Sequence, residues 1–407
     1  MSYQGAPGGP ARHPDGEAMS LSGHRIIVIG AGIGGLACAL ALRRRGAEVT
    51  VLEQAGEIAE VGAGLQISPN GVAVLRALGL EEALAARAVR ARAVVLKDYR
   101  RAGEVLRLDL TRLAPTQHYY LVHRGDLIDL LARAAREAGV RVRLLQKVAG
   151  VSPGSQPGVG LENGRLIEAD LVIGADGLHS RARVALNGES APFFTGQVAW
   201  RALIANRGGL GAEARVHMAP RRHLVSYPLR GGEMVNLVAV QERAGWVDEG
   251  WHHRDDPANL RAAFADFGPE AQALLAEVDE VHLWGLFRHP VARNWQAGGV
   301  ALIGDAAHPT LPFMAQGANM ALEDAWVLAD CLDAAGEVAE RLARYQARRR
   351  DRVERVVAAA SGNAWKYHLG FAPLRGAAHL ALKIGGAVAP ARMLAQYDWI
   401  YGFDVTA

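Results

Sequence analysis

Three continuous apolar runs mark the chain: Ile26-Ile27-Val28-Ile29, Leu171-Val172-Ile173 and Val300-Ala301-Leu302-Ile303. Strands that are apolar on both faces belong to sheets covered on both sides, as in parallel sheets between helices. Each run ends in a glycine-containing turn: Gly30-Ala31-Gly32, Gly174-Ala175-Asp176-Gly177 and Gly304-Asp305. Ligands of open α/β sheets sit beyond the carboxyl ends of the strands. These three turns, far apart in sequence, are therefore expected to converge on one ligand. From about Phe193 to Phe287 the texture changes to short strand-like pieces separated by turns. There, Arg222 to Leu229 and Glu233 to Gln241 flank Arg230-Gly231-Gly232 and read as a hairpin in a mostly antiparallel inserted sheet. From Asn319 to Leu332 apolar residues recur at helical spacing (Leu322, Ala325, Leu328, Ala329, Leu332), and helices are expected to continue to about Met393.

Composition narrows the class. The 407 residues are 50% hydrophobic, enough for one large or two ordinary domains with a filled core. Basic and acidic residues number 45 and 42, a net charge of +3, which argues against nucleic acid as a partner. The densest basic run, Arg348-Arg349-Arg350 with Arg352, alternates with Asp351 and Glu354 in a helical pattern and reads as a solvated helix face. Two cysteines, Cys38 and Cys331, make no disulfide framework or zinc spacing, so a reducing, cytoplasmic setting is expected and no metal. Residues 1–22 are rich in Gly, Pro and Ala and read as a flexible arm, not a signal peptide. Ala377 to Ala389 is apolar but short for a bilayer and carries Lys383, so no membrane partner is expected.

The first run leads directly into Gly30-Ala-Gly32-Ile-Gly-Gly35, then a helical stretch closed by Arg43-Arg44-Arg45-Gly46, then a second strand ending in Glu53. Gly30 suits the tight turn, Gly32 lets the backbone approach a pyrophosphate, and Gly35 lets helix and strand pack closely. Glu53 can accept hydrogen bonds from a ribose hydroxyl, with Gln54 grouped beside it as a cofactor contact. Strand, glycines, helix and acid together point to a bound dinucleotide, without saying which.

The segment Gly304-Asp305-Ala-Ala-His308-Pro309-Thr310-Leu-Pro312-Phe-Met-Ala-Gln316-Gly317-Ala318-Asn319 resembles the second flavin motif of the single-component flavoprotein aromatic hydroxylases. The resemblance implies FAD: Asp305 toward the ribityl hydroxyls, and Gln316, Gly317, Ala318 and Asn319 opening a helix toward the flavin pyrimidine. Asp176, in Gly174-Ala-Asp176-Gly177, resembles the family's Asp-Gly motif, and Arg124, in Arg124-Gly-Asp-Leu127, its Arg-x-x-Leu element; both are implied FAD contacts. The motif order matches the family from about Arg25 to Glu354. A second G-x-G-x-x-G and a Cys pair are missing, which argues against the two-dinucleotide disulfide reductases.

The hairpin Arg222-His223-Leu-Val-Ser-Tyr227-Pro resembles the substrate sheet of the salicylate hydroxylase and 3-hydroxybenzoate 6-hydroxylase-like enzymes. Residues four apart on a strand share a face, so His223 and Tyr227 point the same way. In the family that face looks at the flavin, whose C4a-hydroperoxide delivers an electrophilic oxygen. The implied catalytic pair is His223, taking the phenol proton, and Tyr227, orienting the oxygen. Arg201 is the candidate for a substrate carboxylate, His308 reads as structural, and Pro312 stands where the hydroxybenzoate 6-hydroxylase pattern has Gln.

The expected fold is α/β: a Rossmann-like FAD-binding domain (23–190 and 289–407, the latter with C-terminal helices) holding an inserted antiparallel substrate sheet (191–288). The expected function is an NAD(P)H- and O2-dependent FAD monooxygenase acting on a small phenolic or hydroxybenzoate-like ring. NAD(P)H is a transient co-substrate, and a homodimer is left open. The alternatives are an oxygenase of urate or another N-heteroaromatic, and a flavin-dependent dehydrogenase without productive oxygen chemistry.

Overall fold

The computed structural model describes residues 21–58, 63–243, 245 and 253–407, with the side chains of 363–366 excepted. Most of the expected arm, residues 1–20, lies outside the described residues.

The three apolar runs become neighbouring strands. A six-stranded sheet has the order Gln296–Ala297, Val300–Leu302, Leu171–Gly174, Arg25–Ile29, Glu48–Leu52, Arg141–Arg143. All pairings are parallel except that of the first, short strand. The run centred on Val28 can be apolar on both faces because both are covered. The helix Ile33–Arg44 packs against the strands, and the helix Gly317–Asp333 packs on that helix, with Leu36, Leu40, Leu322 and Leu328 fully buried in one core. Each such leucine contributes about 1.5–3 kcal/mol relative to exposure. At the carboxyl edge the turns are stitched together. Gly30 N–H donates to Leu52 O at 2.8 Å, Ala175 N–H to Ile29 O at 2.9 Å, and Ile303 N–H to Gly174 O at 3.0 Å.

The second layer is an eight-stranded sheet in the order Arg254–Asp255, Val281–Arg288, Phe193–Ala205, Met234–Glu242, Arg222–Leu229, Glu213–Ala219, Ala93–Asp98, Glu104–Asp109. It is antiparallel apart from the 213–219 and 93–98 pairing. The hairpin forms as read, joined by a short 3-10 turn at Arg230–Gly232. Two strands, 93–98 and 104–109, reach this sheet from upstream in the chain, more than eighty residues before Phe193. One face of the sheet is sealed by Trp200, Leu224, Leu237 and Phe264. The other turns toward the 304–316 loop, through Val240, Trp284, Leu311 and Phe313.

Helices close the chain: Val338–Tyr367, Ala372–Val388, Pro390–Ala395 and Asp398–Tyr401. Here the reading of the arginine run is corrected. Arg349 is 0% exposed, with Nη1 2.6 Å from Glu323 and Nε 2.7 Å from Asp324. Arg352, also nearly buried, pairs with Glu323 at 2.7 Å. The 338–367 helix packs on the 317–333 helix, which presents two carboxylates to it, and only Arg348 and its outward neighbours remain at the surface.

Candidate active site

The cofactor side is built from main chain. Gly30 has φ +99°, and a Cβ there would lie 2.5 Å from Ala175 O. A Cβ at Gly35 would lie 2.1 Å from Gly30 O. Packing thus requires both glycines. Gly32 is different: a Cβ there meets no protein atom within 4 Å. It points into open space at the start of the 33–44 helix, whose N-cap is Gly32 itself and whose first turn carries no acidic side chain. Free N–H groups, a positive helix end and an open cradle suit a pyrophosphate. Glu53 stands at the edge of this loop, its carboxylate accepting from Ala31 N–H and Ala55 N–H, both at 2.8 Å. Gln54 beside it is exposed.

The second and third strand ends complete the cleft. Asp305 reaches solvent at the turn Gly304–Ala306. The protein mass around it nonetheless raises its carboxyl pKa by desolvation, opposed by His308, Arg124 and His289. Arg124 and Asp305, 181 positions apart in sequence, are therefore within electrostatic range of each other. Asp176 turns out to be a tie within its own turn. Its oxygens accept from Ser180 Oγ at 2.5 Å, Arg181 N–H at 2.7 Å and Ala182 N–H at 3.3 Å. Burial raises its pKa, and these donors offset the rise only in part.

The helix Gly317–Asp333 starts after Gln316 with no side chain capping its first turn. The Gln316 and Asn319 side chains point away from the cleft edge into protein. Gln316 Nε2 donates to Ser68 Oγ at 3.0 Å, and Asn70 Nδ2 donates to Gln316 Oε1 at 3.0 Å. Asn319 Oδ1 accepts from Ser68 N–H at 3.1 Å, and its Nδ2 donates to Gln66 O at 3.0 Å. What remains for a cofactor is the main chain of 317–319. Below, His308 contacts Asp324 at 2.5 Å, and Asp324 also accepts from Gly304 N–H at 2.9 Å. Burial alone would raise the Asp324 carboxyl, but His308 and Arg349 outweigh it and hold it at about 2. His308 is thus a support of the Asp305 turn.

On the substrate side, directly paired residues share a face. The pairs Tyr227–Asn236, Val225–Val238, His223–Val240 and Arg201–Val238 place Arg201, His223 and Tyr227 on the face turned toward the 304–316 loop. The His223 ring lies 5.8 Å from that of Phe313, in the 3-10 turn Pro312–Met314, and 5.4 Å from that of Tyr367. Burial first, and then His368, push the His223 pKa well down, so the imidazole is neutral. Burial pushes the Tyr227 phenol up, so it keeps its proton. The Arg201 guanidinium lies over the Trp284 ring at 4.8 Å.

Three contributors escaped the sequence reading. Arg183 is buried and donates to Pro290 O at 2.5 Å and Ala307 O at 3.3 Å, clamping the Asp305 turn; its only signal is its place after the Asp-Gly motif. Asn70 bridges Gln316 and Glu323 at 3.0 and 2.7 Å, hinted at only by a polar pair at a helix start. His368 bonds His223, and no spacing signals it. Among the described residues there is no cluster of side chains suited to a metal ion, and no helix long and apolar enough to cross a membrane.

Comparison with known proteins agrees with this architecture. A family described as FAD binding domain matches residues 24–360. The 3-amino-4-hydroxybenzoate 2-monooxygenase PtmB3 of Streptomyces platensis is 36% identical, over 93% of this chain and 96% of its own length. The 6-hydroxynicotinate 3-monooxygenase of Bordetella bronchiseptica is 33% identical, over 94% and 96%. Among solved structures, Klebsiella pneumoniae HpxO complexed with FAD and uric acid superposes with a TM-score of 0.82 at 26% identity, covering 94% of this chain and 99% of that one. With strand order, glycine cradle and full-length similarity in agreement, the chain belongs to the FAD-dependent aromatic hydroxylases.

Proposed function

We propose that this enzyme uses NAD(P)H and O2 to hydroxylate a small aromatic ring bearing a hydroxyl group and a carboxylate. FAD fits the cleft because Gly32 opens onto unfilled space where packing demands glycine on either side of it. Glu53, with Gln54 beside it, would hold the adenosine ribose, and the main chain of Gly30, Gly32 and Gly35 the pyrophosphate. Arg124 and Asp305 would hold the ribityl chain, and the N–H groups of Gly317, Ala318 and Asn319 the ring. Asp176, Gln316 and Asn319 act through their side chains as positioning residues. Bound FAD, reduced by NAD(P)H, supplies the electrophilic oxygen from O2.

The rest of the task falls to the chain's own side chains. An ionised hydroxyl makes the ring a far better nucleophile, so a neutral base must face it. His223 is that base, Tyr227 retains its proton to orient the substrate oxygen, and Arg201 offers a cation for the carboxylate. The common face of Arg201, His223 and Tyr227 carries this reading. A hydroxylated N-heteroaromatic acid is a second reading, supported by the 33% identity to the hydroxynicotinate enzyme; it needs the same base. The buried free thiols Cys38 and Cys331 support a reducing, cytoplasmic setting.

The test is substrate-stimulated NAD(P)H oxidation over a panel of hydroxybenzoates, aminohydroxybenzoates, hydroxynicotinates and urate, with products identified by mass. His223→Ala should still bind FAD and be reduced. Its assisted step should slow about 10²–10⁴-fold, so that peroxide replaces hydroxylated product, with partial recovery as pH approaches the pKa of the substrate hydroxyl. A fully coupled His223→Ala at neutral pH would remove the base from the mechanism.

A further inference from the structure

We propose that His223, His368 and Glu242 form a proton relay carrying the hydroxyl proton of the bound aromatic substrate from the buried sheet face to solvent. The inference rests on the reading above, in which a hydroxyl is ionised beside His223.

The geometry is continuous. His223 Nδ1 lies 2.7 Å from His368 Nε2, and His368 Nδ1 lies 2.9 Å from Glu242 Oε1. The three groups come from the 222–229 strand, the residue after the 338–367 helix and the end of the 234–242 strand. Exposure rises along the line: the His368 side chain is 1% exposed and that of Glu242 31%. The other Glu242 oxygen accepts from Arg221 Nε at 3.1 Å. Arg221 N–H donates to His368 O at 3.1 Å, so the outer end is held from two sides.

Hydrogen-bond direction follows from the outer end inward. A carboxylate oxygen accepts, so His368 Nδ1 donates to it and His368 Nε2 is left as an acceptor. His223 Nδ1 must then be the donor to His368, and His223 Nε2 is left unprotonated. The carboxylate thus selects, through two rings, the His223 tautomer that can take a proton from substrate. Transfer balances at each centre. The substrate O–H bond breaks as a proton joins His223 Nε2. The Nδ1 proton of His223 passes to His368 Nε2, the Nδ1 proton of His368 passes to Glu242 Oε1, and Glu242 releases it to water. One proton enters and one leaves, and neither ring stays charged.

That neutrality matters here. An imidazolium packed between Phe313, Tyr367 and His368 would be desolvated. A phenol near pKa 10 does not hand its proton for long to so weak a base, whereas passing it to solvent couples ionisation to bulk pH. The groups around His223 leave the relay alone in this range. Tyr227 on its own strand and Tyr367 from the helix are both raised by burial. Met218 and Phe313 bring no charge, and Arg222 turns to the opposite face, onto Asp266.

The same contacts also fasten the helix end to the sheet, so the test must read protons. Holoenzyme is mixed, without NAD(P)H, with 3-amino-4-hydroxybenzoate or 6-hydroxynicotinate, whichever stimulates the wild type, in weakly buffered solution containing a pH indicator. Wild type should release a proton as the substrate absorbance shifts to that of the ionised form. His368→Gln and Glu242→Gln should slow both signals at least about tenfold, with FAD affinity and flavin reduction unchanged, and Glu242→Asp should recover part of the rate. Separately, ¹⁵N spectra of the imidazoles without substrate should show His223 protonated at Nδ1, and a mixture of tautomers in Glu242→Gln. Should His368→Gln fail to fold, the half-exposed Glu242→Gln decides the matter. Proton release at the wild-type rate in Glu242→Gln, or His223 protonated at Nε2, would overturn the relay. If neither compound nor any other aromatic acid stimulates the wild type, the functional reading itself fails and the relay with it.

Discussion

Two polar networks flank the cleft and are built on opposite principles. Under the 317–333 helix, full charges are sealed from water: Glu323, Asp324 and Arg349 are each 0% exposed and paired with one another, with Arg352, Asn70 and His308 as further partners. Across the cleft, the buried part of the His223–His368–Glu242 line is neutral, and its charge sits where water reaches it. A sealed ion cluster cannot exchange protons cheaply, and it holds geometry because every partner lost leaves a bare charge. A neutral chain open at one end holds less and conducts more. On the proposed reading, the first lies beneath the loop that would hold FAD and the second beside the ring that would react.

The largest effect should come from the sealed network. Arg349→Met leaves Glu323 and Asp324 facing each other without their central cation, and should cost about 3–5 kcal/mol in chemical denaturation, with FAD affinity falling as the Gly304 and Gln316 anchors loosen. A loss below about 1 kcal/mol would erase the proposed contrast between the two regions.

Acid should then separate them. The folded-state pKa values of His223 and His368 are lowered, chiefly by burial. The unfolded chain therefore binds those protons first, and stability declines as pH falls below about 6.5, by up to about 1.4 kcal/mol per histidine per pH unit. Asp324 is held at about 2 against an ordinary 3.8, so its contribution is complete above 3.8 and is lost as pH falls through about 2. Denaturation midpoints from pH 8 to 2 should show two declines, the upper one reduced in His368→Gln. One decline starting only below pH 4 would mean the histidines are not buried as neutral rings.

The smallest effect sharpens the contrast between two adjacent residues. Arg348 pairs with Asp330 at the surface, both side chains more than 40% exposed. Arg348→Ala should cost only about 0.2–1 kcal/mol, against several for its neighbour. Equal losses would show that the burial of Arg349 carries no special weight.

The amino-acid order alone announces the cofactor half. Strand, glycine turn, helix and acid over Arg25 to Glu53 are local events, and the binding surface they make is main chain, so residue types and spacing carry the message. The hairpin at Arg230–Gly232 and the shared face of His223 and Tyr227 follow equally from local turn chemistry and the two-residue period of a strand. What packs against these elements is another matter. The arginine run has the same periodicity whether it meets water or Glu323 and Asp324, and only the docking of two helices buries Arg349 while leaving Arg348 outside. Asp176, Gln316 and Asn319 sit in their motifs, yet tertiary contacts turn their side chains into the protein and leave backbone N–H groups at the cleft. The strands 93–98 and 104–109 join a sheet whose other members lie far along the chain. His368 reaches His223 across 145 positions because a long helix happens to end against that sheet. Local conformation is written in neighbouring residues, but the partner of a buried charge or ring is set by a distant segment, and that choice is made only when the layers pack.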